Sequence, residues 1–590
     1  MQESLEDETR TEGQEGHEGP GSWRGRALWA AVIVVAAVAL FSALLRISRT
    51  YSANSDGSAF ALQGWDMIHG NPLLSGWWTS DVSFYSFEIP IDAAVEAVRG
   101  LGTDVVHITA AIVYTLLVVV AALVARGHSR GRAGVAAAVI AAGILLAPGY
   151  ILSTSVLLGS PDHIGVAVPI LLTLLLVDRA PERWWVPPVT CVLLVWAQFD
   201  DPVASFAGAF ALAVVCLVRA GAGWRADRGR AWWYDAALGV AAVVSYGLTR
   251  LAVGLLRSAG GISMRTMAKA TKFQPPSRWP AQLAGAGRDT LILFGADFPS
   301  HPSSLLTAAG LVHLAGVALA VCGLGAGIAC LVRMPRRLSV TPTRKPAPEE
   351  PAPGTRGDRV TQALTVGTLV TLAAGVFATR MIKPYDAHEI AVVLPFGAVL
   401  AGRAVGPWLA RRRQEGGQGL AGQGRAGRGW RLRRPLVGAL SVVALAYLAF
   451  FGYFAAQPPV KGRTQTLDNW LLAHHLTDGI GRYWTGSSTR LYTRGKVRIS
   501  PTYSNPLRPD PWITRPSWYD PGKHTANFVV AGTDPQVGLV LAESSVIKAF
   551  GKPARVYRFG QYIIAVYHRN LLRELHKPVQ PQPDTGGFHL

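Results

Sequence analysis

Apolar and polar positions alternate along the chain on a long period, with hydrophobic runs separated by short polar loops. Eleven runs reach or approach the roughly 20 apolar residues of a bilayer-crossing helix, at 27–45, 105–125, 133–153, 163–177, 184–198, 203–218, 232–256, 305–332, 360–379, 390–409 and 435–456. The fourth, fifth and sixth of these are short. Residues 1–22 are rich in Glu, Gly and Gln and nearly free of apolar side chains, so a disordered tail is expected there. The tail lacks the basic opening of a signal peptide. From 457 onward the pattern shortens to β-rich stretches, TRLYTR, KVRIS, NFVVAG, VGLVLA and RVYRFGQYIIAVYH, with a helical piece from Ser544 to Phe550. The expected fold is a polytopic α-helical membrane protein of about eleven spans at 23–456, followed by a small α/β domain at 457–590.

Composition agrees: half of the 590 residues are apolar and only 16% are charged, and the mean hydropathy is +0.25, too apolar for a soluble chain of this length. Basic loops resist translocation. Placing the N-terminus in the cytoplasm keeps Arg126, Arg130, Arg132, Arg219, Arg225, Arg228 and Arg230 on the inner side. The linkers 333–359 and 411–434 fall there too, Pro/Ala- and Gly/Arg-rich, and read as flexible spacers on the headgroups. The loop 46–104 and the C-terminal domain then lie outside the plasma membrane. The loop 257–302 carries six Lys/Arg against this rule and reads as interfacial helices. The net charge of +20 follows mainly from the inner loops; the bilayer, not nucleic acid, is its expected partner. Cys191, Cys216, Cys322 and Cys330 all fall in apolar runs, so no disulfide is expected in the outer domain.

Candidate chemistry concentrates on the outer face. The first outer loop holds Asp56, Asp81 and Glu88 among Trp77, Trp78, Phe84, Tyr85 and Phe87, aromatics of the kind found at headgroup depth. Phe60, Ala61, Trp65 and Ile68 suit one face of a short helix lying on the membrane. Asp56 has two readings: the N-cap of that helix, since Asp-Gly-Ser is a cap signal, or a general base whose charge burial disfavours and a nearby cation restores. Asp162 and His163 lie at the mouth of the fourth run; His163 reads as a hydrogen-bonded partner of Asp162 or of a carbonyl. Asp200 and Asp201 join the fifth run to the sixth, as turn residues or as oxygen ligands of a divalent cation. Arg380, Lys383, Tyr385, Asp386 and His388 precede the tenth run, either anchoring the interface or meeting a phosphate with Arg and Lys donors. P-loop, dinucleotide, HExxH and GxSxG motifs are missing, which argues against soluble nucleotide chemistry.

A first span, an acidic outer loop, many further spans and an exported domain together resemble the GT-C superfamily of membrane glycosyltransferases that use polyprenyl-phosphate sugars, including actinobacterial membrane proteins of that type. The resemblance implies that the family's catalytic Asp falls on Asp56, a second acid on Glu88 or less well Asp81, and lipid-phosphate contacts on Arg380 and Tyr385. Where some members carry adjacent Asp-Glu, this chain has Asp56-Gly57. The function implied is transfer of a sugar from a polyprenyl-phosphate donor to a cell-envelope glycan, lipid or protein acceptor. Asp56 and Glu88 would be catalytic, and Asp81, Asp162, His163, Arg380, Lys383, Tyr385 and His388 would line the substrates. The alternatives are a non-catalytic protein that binds lipid-linked glycan or presents its outer domain in envelope assembly, and a transporter. The last fits less well because the ionisable residues gather at one surface and not at the bilayer midplane.

Overall fold

The computed structural model describes residues 23–149, 152–160, 162–225, 231–262, 273–297, 304–339, 356–378, 386–410, 423–504, 506–532 and 541–575. Helix α1 (Trp23–Ser48) leads into a loop that carries α2 (Ser55–Ile68) and α3 (Glu88–Arg99). The chain then enters a bundle of α4 (Asp104–Arg126), α5 (Gly131–Leu145), short α6 (Leu152–Leu158), α7 (Ala167–Arg179), α8 (Val186–Asp200), α9 (Ala211–Arg225) and α10 (Ala231–Ser258). It continues through α11 (Trp279–Leu293), α12 (Ser304–Ser339), α13 (Arg356–Phe377), α14 (Val393–Ala410) and α15 (Gln423–Ala455). Each of the eleven apolar runs coincides with a helix. Among the described residues seven helices are long and apolar enough to cross a bilayer: α1, α4, α9 with the π-turn before it, α10, α12, α13 and α15. Helices α5, α8 and α14 are shorter apolar helices, and α7 has 13 residues.

The bundle is organised around α14, whose Leu394, Phe396, Ala398, Val399, Leu400 and Ala401 are shut off from solvent and which packs on α4, α5, α12 and α13. Helices α1, α10 and α15 instead expose Val35, Val243, Leu251, Val442 and Leu445, the surface expected of helices solvated by lipid. One end of the bundle is tied by arginines. Arg403 donates to both oxygens of Asp178 at 3.2 Å and to the Val124 carbonyl at 2.7 Å. Buried Asp235 accepts from Arg219 at 3.3 Å and from Arg359, which also reaches Glu182 at 2.9 Å. The opposite end carries the first loop and the C-terminal domain.

That domain contains α16 (Gln465–Ala473), β1 (Asp478–Gly481), α17 (Tyr483–Tyr492), β2 (Arg498–Pro501), β3 (Phe528–Gly532), α18 (Glu543–Phe550), β4 (Arg555–Phe559) and β5 (Tyr562–Val566). Its sheet runs β2-β1-β3-β5-β4, parallel across β2-β1-β3 and antiparallel across β3-β5-β4. Val529 and Ala531 face one apolar cluster with Val546 and Phe550; Phe528 and Val530 face another with Leu467 and Leu471, the alternation of a strand buried on both faces.

The structure differs from the sequence reading in three places. TRLYTR is not a strand: Thr489–Tyr492 closes α17, whose Ser487, Ser488 and Thr489 are buried against neighbouring elements. Of the two linkers read as spacers, 333–339 and 356–359 belong to α12 and α13 and Gln423–Arg434 opens α15, while 340–355 and 411–422 lie outside the described residues. Helix α2 does not lie with Phe60 and Ala61 toward lipid. Both are buried in protein, and Trp77, Trp78 and Phe84 pack with Trp518 and Tyr519 of the C-terminal domain.

Helix α2 sits close to its neighbours because two positions lack side chains. A Cβ at Gly57 would meet Val106 Cγ1 at 2.7 Å, and one at Gly64 would meet the Ala93 nitrogen at 2.8 Å. Beneath Gly64, Asp92 and Glu96 of α3 are buried. Burial pushes Asp92 up to about 8, and burial together with the Asp92 charge pushes Glu96 up to about 9. Below the ordinary carboxylate values both folded and unfolded chains hold these protons. As pH rises the unfolded chain releases them first, so the stability they contribute is lost progressively up to about pH 9. Glu96→Gln should therefore melt at a higher temperature than wild type, by a margin that widens from pH 5 to pH 8. A margin independent of pH, measured by thermal unfolding in detergent, would contradict this.

Candidate active site

The N-terminus of α2 sets the position of Asp56. The cap is Asn54, whose side-chain oxygen accepts from the Gly57 N–H at 2.8 Å while its backbone is extended. Asp56 lies in the first turn and is released from capping. Its Oδ1 accepts a hydrogen bond from the Tyr483 hydroxyl, at the start of α17, at 2.7 Å. Ser55 and Ser488 meet beside it at 3.1 Å. The residue is half-buried, with its carboxyl set deep among these groups. Burial pushes it up to about 6, the charge of Asp162 adds to the rise, and Tyr483, His388 and the Trp512 side chain draw it down. Gly57, where a second acid would follow from the family resemblance, has no room for any side chain against Val106.

Asp162, His388 and Glu389 are the other partly open members of the cluster, with 26, 30 and 19% of their side chains exposed. His163 is buried among them. Its Nδ1 lies 2.7 Å from Asp201 Oδ2, and its Nε2 lies 3.7 Å from Glu389 and 3.9 Å from Asp162. The His163 and His388 rings stack at 5.6 Å, and Phe84 meets the His163 ring edge-on at 6.2 Å. Asp201 also accepts from the Val203 N–H at 2.8 Å, which holds the turn after α8.

Glu88 does not share the opening with Asp56. It is fully buried at the start of α3, and its neighbour is Asp200, whose Oδ1 accepts from the Ser86 N–H at 3.1 Å and hydroxyl at 3.2 Å. Burial, then the charge of Asp200, holds the Glu88 carboxyl well above its usual range. A protonated Glu88 supplies the donor that Asp200 Oδ2 otherwise lacks. The loop clamps the end of α8, with Phe84 N–H donating to the Asp200 carbonyl at 3.1 Å and Ser83 to the Phe199 carbonyl at 2.6 Å.

Of the sequence candidates, then, Asp56, Asp162, His163 and His388 converge, with Asp201 directly behind and Glu88 and Asp200 one layer deeper. Asp81 stays half-buried in the loop, next to the Ser80 hydroxyl that donates to the Val82 carbonyl at 2.9 Å. Arg380, Lys383 and Tyr385 lie outside the described residues. Sequence reasoning missed Glu389, although it adjoins His388, and Tyr483 and Trp512, which a distant domain contributes.

The donor set fits a divalent transition metal better at His163, His388 and Glu389 than at Asp200 and Asp201. One ligand atom from each of the three lies within 4.8 Å of the others. Two imidazoles and a carboxylate are a common catalytic zinc set, and Asp201 at Nδ1 leaves His163 Nε2 as the ligating nitrogen. Asp200 is instead committed to Ser86 and Glu88.

These features define a helical, multi-pass membrane protein whose acidic and histidine-bearing site is assembled from interhelical loops and closed by a C-terminal α/β domain. No family model and no curated relative matches the chain. Solved structures are similar to it. ArnT from Cupriavidus metallidurans bound to undecaprenyl phosphate shares 13% identity at a TM-score of 0.47, over 91% of this chain and 98% of that one. The Archaeoglobus fulgidus oligosaccharyltransferase tethered to an acceptor peptide shares 14% at 0.45, over 86% and 70%. AglB from the same organism, in complex with an inhibitory peptide and a dolichol-phosphate, shares 12% at 0.43, over 87% and 70%.

Zinc or manganese titrated into the purified protein should bind at one site, and His388→Ala should abolish that binding. Asp201→Asn, which frees the His163 ring, should weaken it about 10–100-fold. Unchanged metal affinity in both variants, by calorimetry, would remove the ion from this cluster.

Proposed function

We propose that the protein transfers a sugar from a polyprenyl-phosphate donor to an acceptor at the outer face of the plasma membrane, with Asp56 as the general base. The observation that carries this is the state of Asp56: free of the capping role that Asn54 takes, half-buried, hydrogen-bonded to Tyr483 and set near pH 6 by burial. A carboxylate in that range is still largely ionised at neutral pH and is a stronger base than an ordinary one. The architecture of the chain, similar to GT-C glycosyltransferases in its sequence order, favours the same chemistry.

In the step proposed, the acceptor hydroxyl or amine gives its proton to Asp56 as its heteroatom attacks the anomeric carbon. The bond from that carbon to the donor phosphate breaks, and the electron pair leaves on polyprenyl phosphate. Tyr483 fixes the carboxylate through its hydrogen bond to Oδ1. A divalent ion held by His163, His388 and Glu389 would neutralise charge on a phosphate. Arg380, Lys383 and Tyr385, which shortly precede His388 in sequence, are proposed to meet the same phosphate. Glu88 is a positioning residue in this scheme: it holds Asp200 and the α8 turn from which Asp201 fixes His163.

Asp56→Asn should lower sugar release from a panel of polyprenyl-phosphate sugars by about 10²–10⁴-fold; equal turnover would take Asp56 out of the mechanism. Wild-type activity should rise as pH passes through about 6 and level off above it, because the base works only when ionised. The Tyr483 hydroxyl draws Asp56 down, so Tyr483→Phe should shift that rise to higher pH. An unshifted profile would mean that another group limits the reaction at low pH.

A further inference from the structure

Helices α2 and α17 pack together, and beyond Asp56 and Tyr483 they enclose a second recess of about 380 Å³ whose walls include Trp65, Trp77, Trp518, Arg490, Arg494 and Arg515. The volume lies within the range of small-ligand sites, about 300–1,000 Å³. Its charges do not balance locally. Asp66 is consumed: both oxygens accept from Arg515 at 2.9 Å, and Oδ2 also accepts from Asn71 at 2.6 Å and from the Trp77 indole at 2.8 Å. Arg99, at the rim, is paired with Asp104 at 3.1 Å.

Arg490 and Arg494 make no ion pair among the described residues. Arg490 lies over the Trp518 ring, 4.3 Å from its centre, and Arg494 is exposed at the mouth. Burial, then the neighbouring charges of Arg498 and Arg515, lowers Arg490 to about 10, and these outweigh the more distant opposing charges of Asp66 and Asp478. The Nε of Arg515 is also buried without a partner. Forked guanidinium donors match carboxylate and phosphate oxygens, while the Trp65 indole, partly exposed in front of the buried Trp77 and Trp518, offers an apolar surface for the C–H face of a sugar ring.

The geometry points to a binding site for an acidic saccharide, with a sugar ring against the indole wall and its carboxylate or phosphate between Arg490 and Arg494. Ten residues of α2 separate Asp66 from Asp56, about 15 Å along the helix. If Asp56 is the base proposed above, a reading on which this assignment of the molecule rests, the ligand is a distal part of the acceptor, a few sugar units from the reacting group.

The test uses full-length protein in phosphatidylcholine nanodiscs and calorimetric titration with trigalacturonate, glucose 6-phosphate, maltotriose and glycerol 3-phosphate. Trigalacturonate and glucose 6-phosphate should bind and maltotriose should not. Arg490→Gln should weaken binding about tenfold or more, as expected for loss of a charged hydrogen bond. Arg494→Gln, at an exposed position that a folding defect would spare, should do likewise. Binding of maltotriose as tight as that of trigalacturonate, or unchanged binding in both arginine variants, would overturn the proposal. Glycerol 3-phosphate binding as tightly as glucose 6-phosphate would assign the recess to a lipid headgroup and overturn it as well. Asp56→Asn separates the two readings: saccharide binding retained with turnover lost supports both, and turnover retained overturns the base assignment while leaving the recess to its own outcome.

Discussion

The contact between the first loop and the C-terminal domain is the constraint on which the site depends, and the hydrogen bond from Tyr483 to Asp56 is its centre. That bond does not hold the two parts together by itself. A neutral or charge-assisted hydrogen bond is worth roughly 0.5–3 kcal/mol net, whereas burying one large apolar side chain contributes about 1.5–3 kcal/mol. The interface buries Trp77, Trp78, Phe84, Trp518 and Tyr519 in one cluster. It adds a two-way backbone pairing of Trp78 with Thr514, at 2.8 and 3.1 Å. The aromatics supply the adhesion; the polar contacts fix the register, and with it the distance from α17 to Asp56.

Behind that surface, charged groups are kept by pairing. Asp201 and His163 are nearly closed to solvent and bonded to each other, and Glu88 with Asp200 avoids two adjacent negative charges by retaining a proton. At the other end of the bundle Arg403 with Asp178, and Arg359 with Asp235, are equally closed. Removing one partner of such a pair costs about 3–5 kcal/mol, so these positions tolerate little change. The consequence differs between the two ends. The arginine end is complete within itself and staples helices, while the acidic end leaves Asp56, Asp162, His388 and Glu389 half-buried, with Asp162, His388 and Glu389 partly open to solvent.

The sequence revealed the helices well because hydrophobic length is a strong signal, and all eleven apolar runs became helices. It also identified the interhelical loops that meet at the site. Depth was less legible. Asp56 and Glu88 read alike as loop acids, yet one faces an opening and the other a buried carboxyl, a difference made by α8 and visible only in three dimensions. The cap reading of Asp56 failed because Asn54 takes that role two residues earlier. TRLYTR has β-branched and aromatic residues spaced as in a strand, but it continues a helix whose small buried residues Ser487, Ser488 and Thr489 let α17 pack against β2 and α2, an instance of tertiary context overriding propensity. Tyr483 lies 427 residues from Asp56, beyond anything that local spacing can show.

The position of Asp56 reconciles two opposing demands on a base. The first turn of a helix favours an anion by about 0.3–1 kcal/mol where exposed, and the Tyr483 donor favours it further; alone, these would leave a weakly basic carboxylate. Burial and the nearby Asp162 charge outweigh them and carry the group to about 6. Were it higher, the proton would remain at neutral pH; were it lower, the oxygen would accept a proton poorly. The C-terminal domain acts directly on that balance, through the hydrogen bonds of Tyr483 and Trp512 that draw the group back down. The C-terminal domain is therefore a wall of the site and helps set the protonation of the proposed base, not an appendage carried by the membrane bundle.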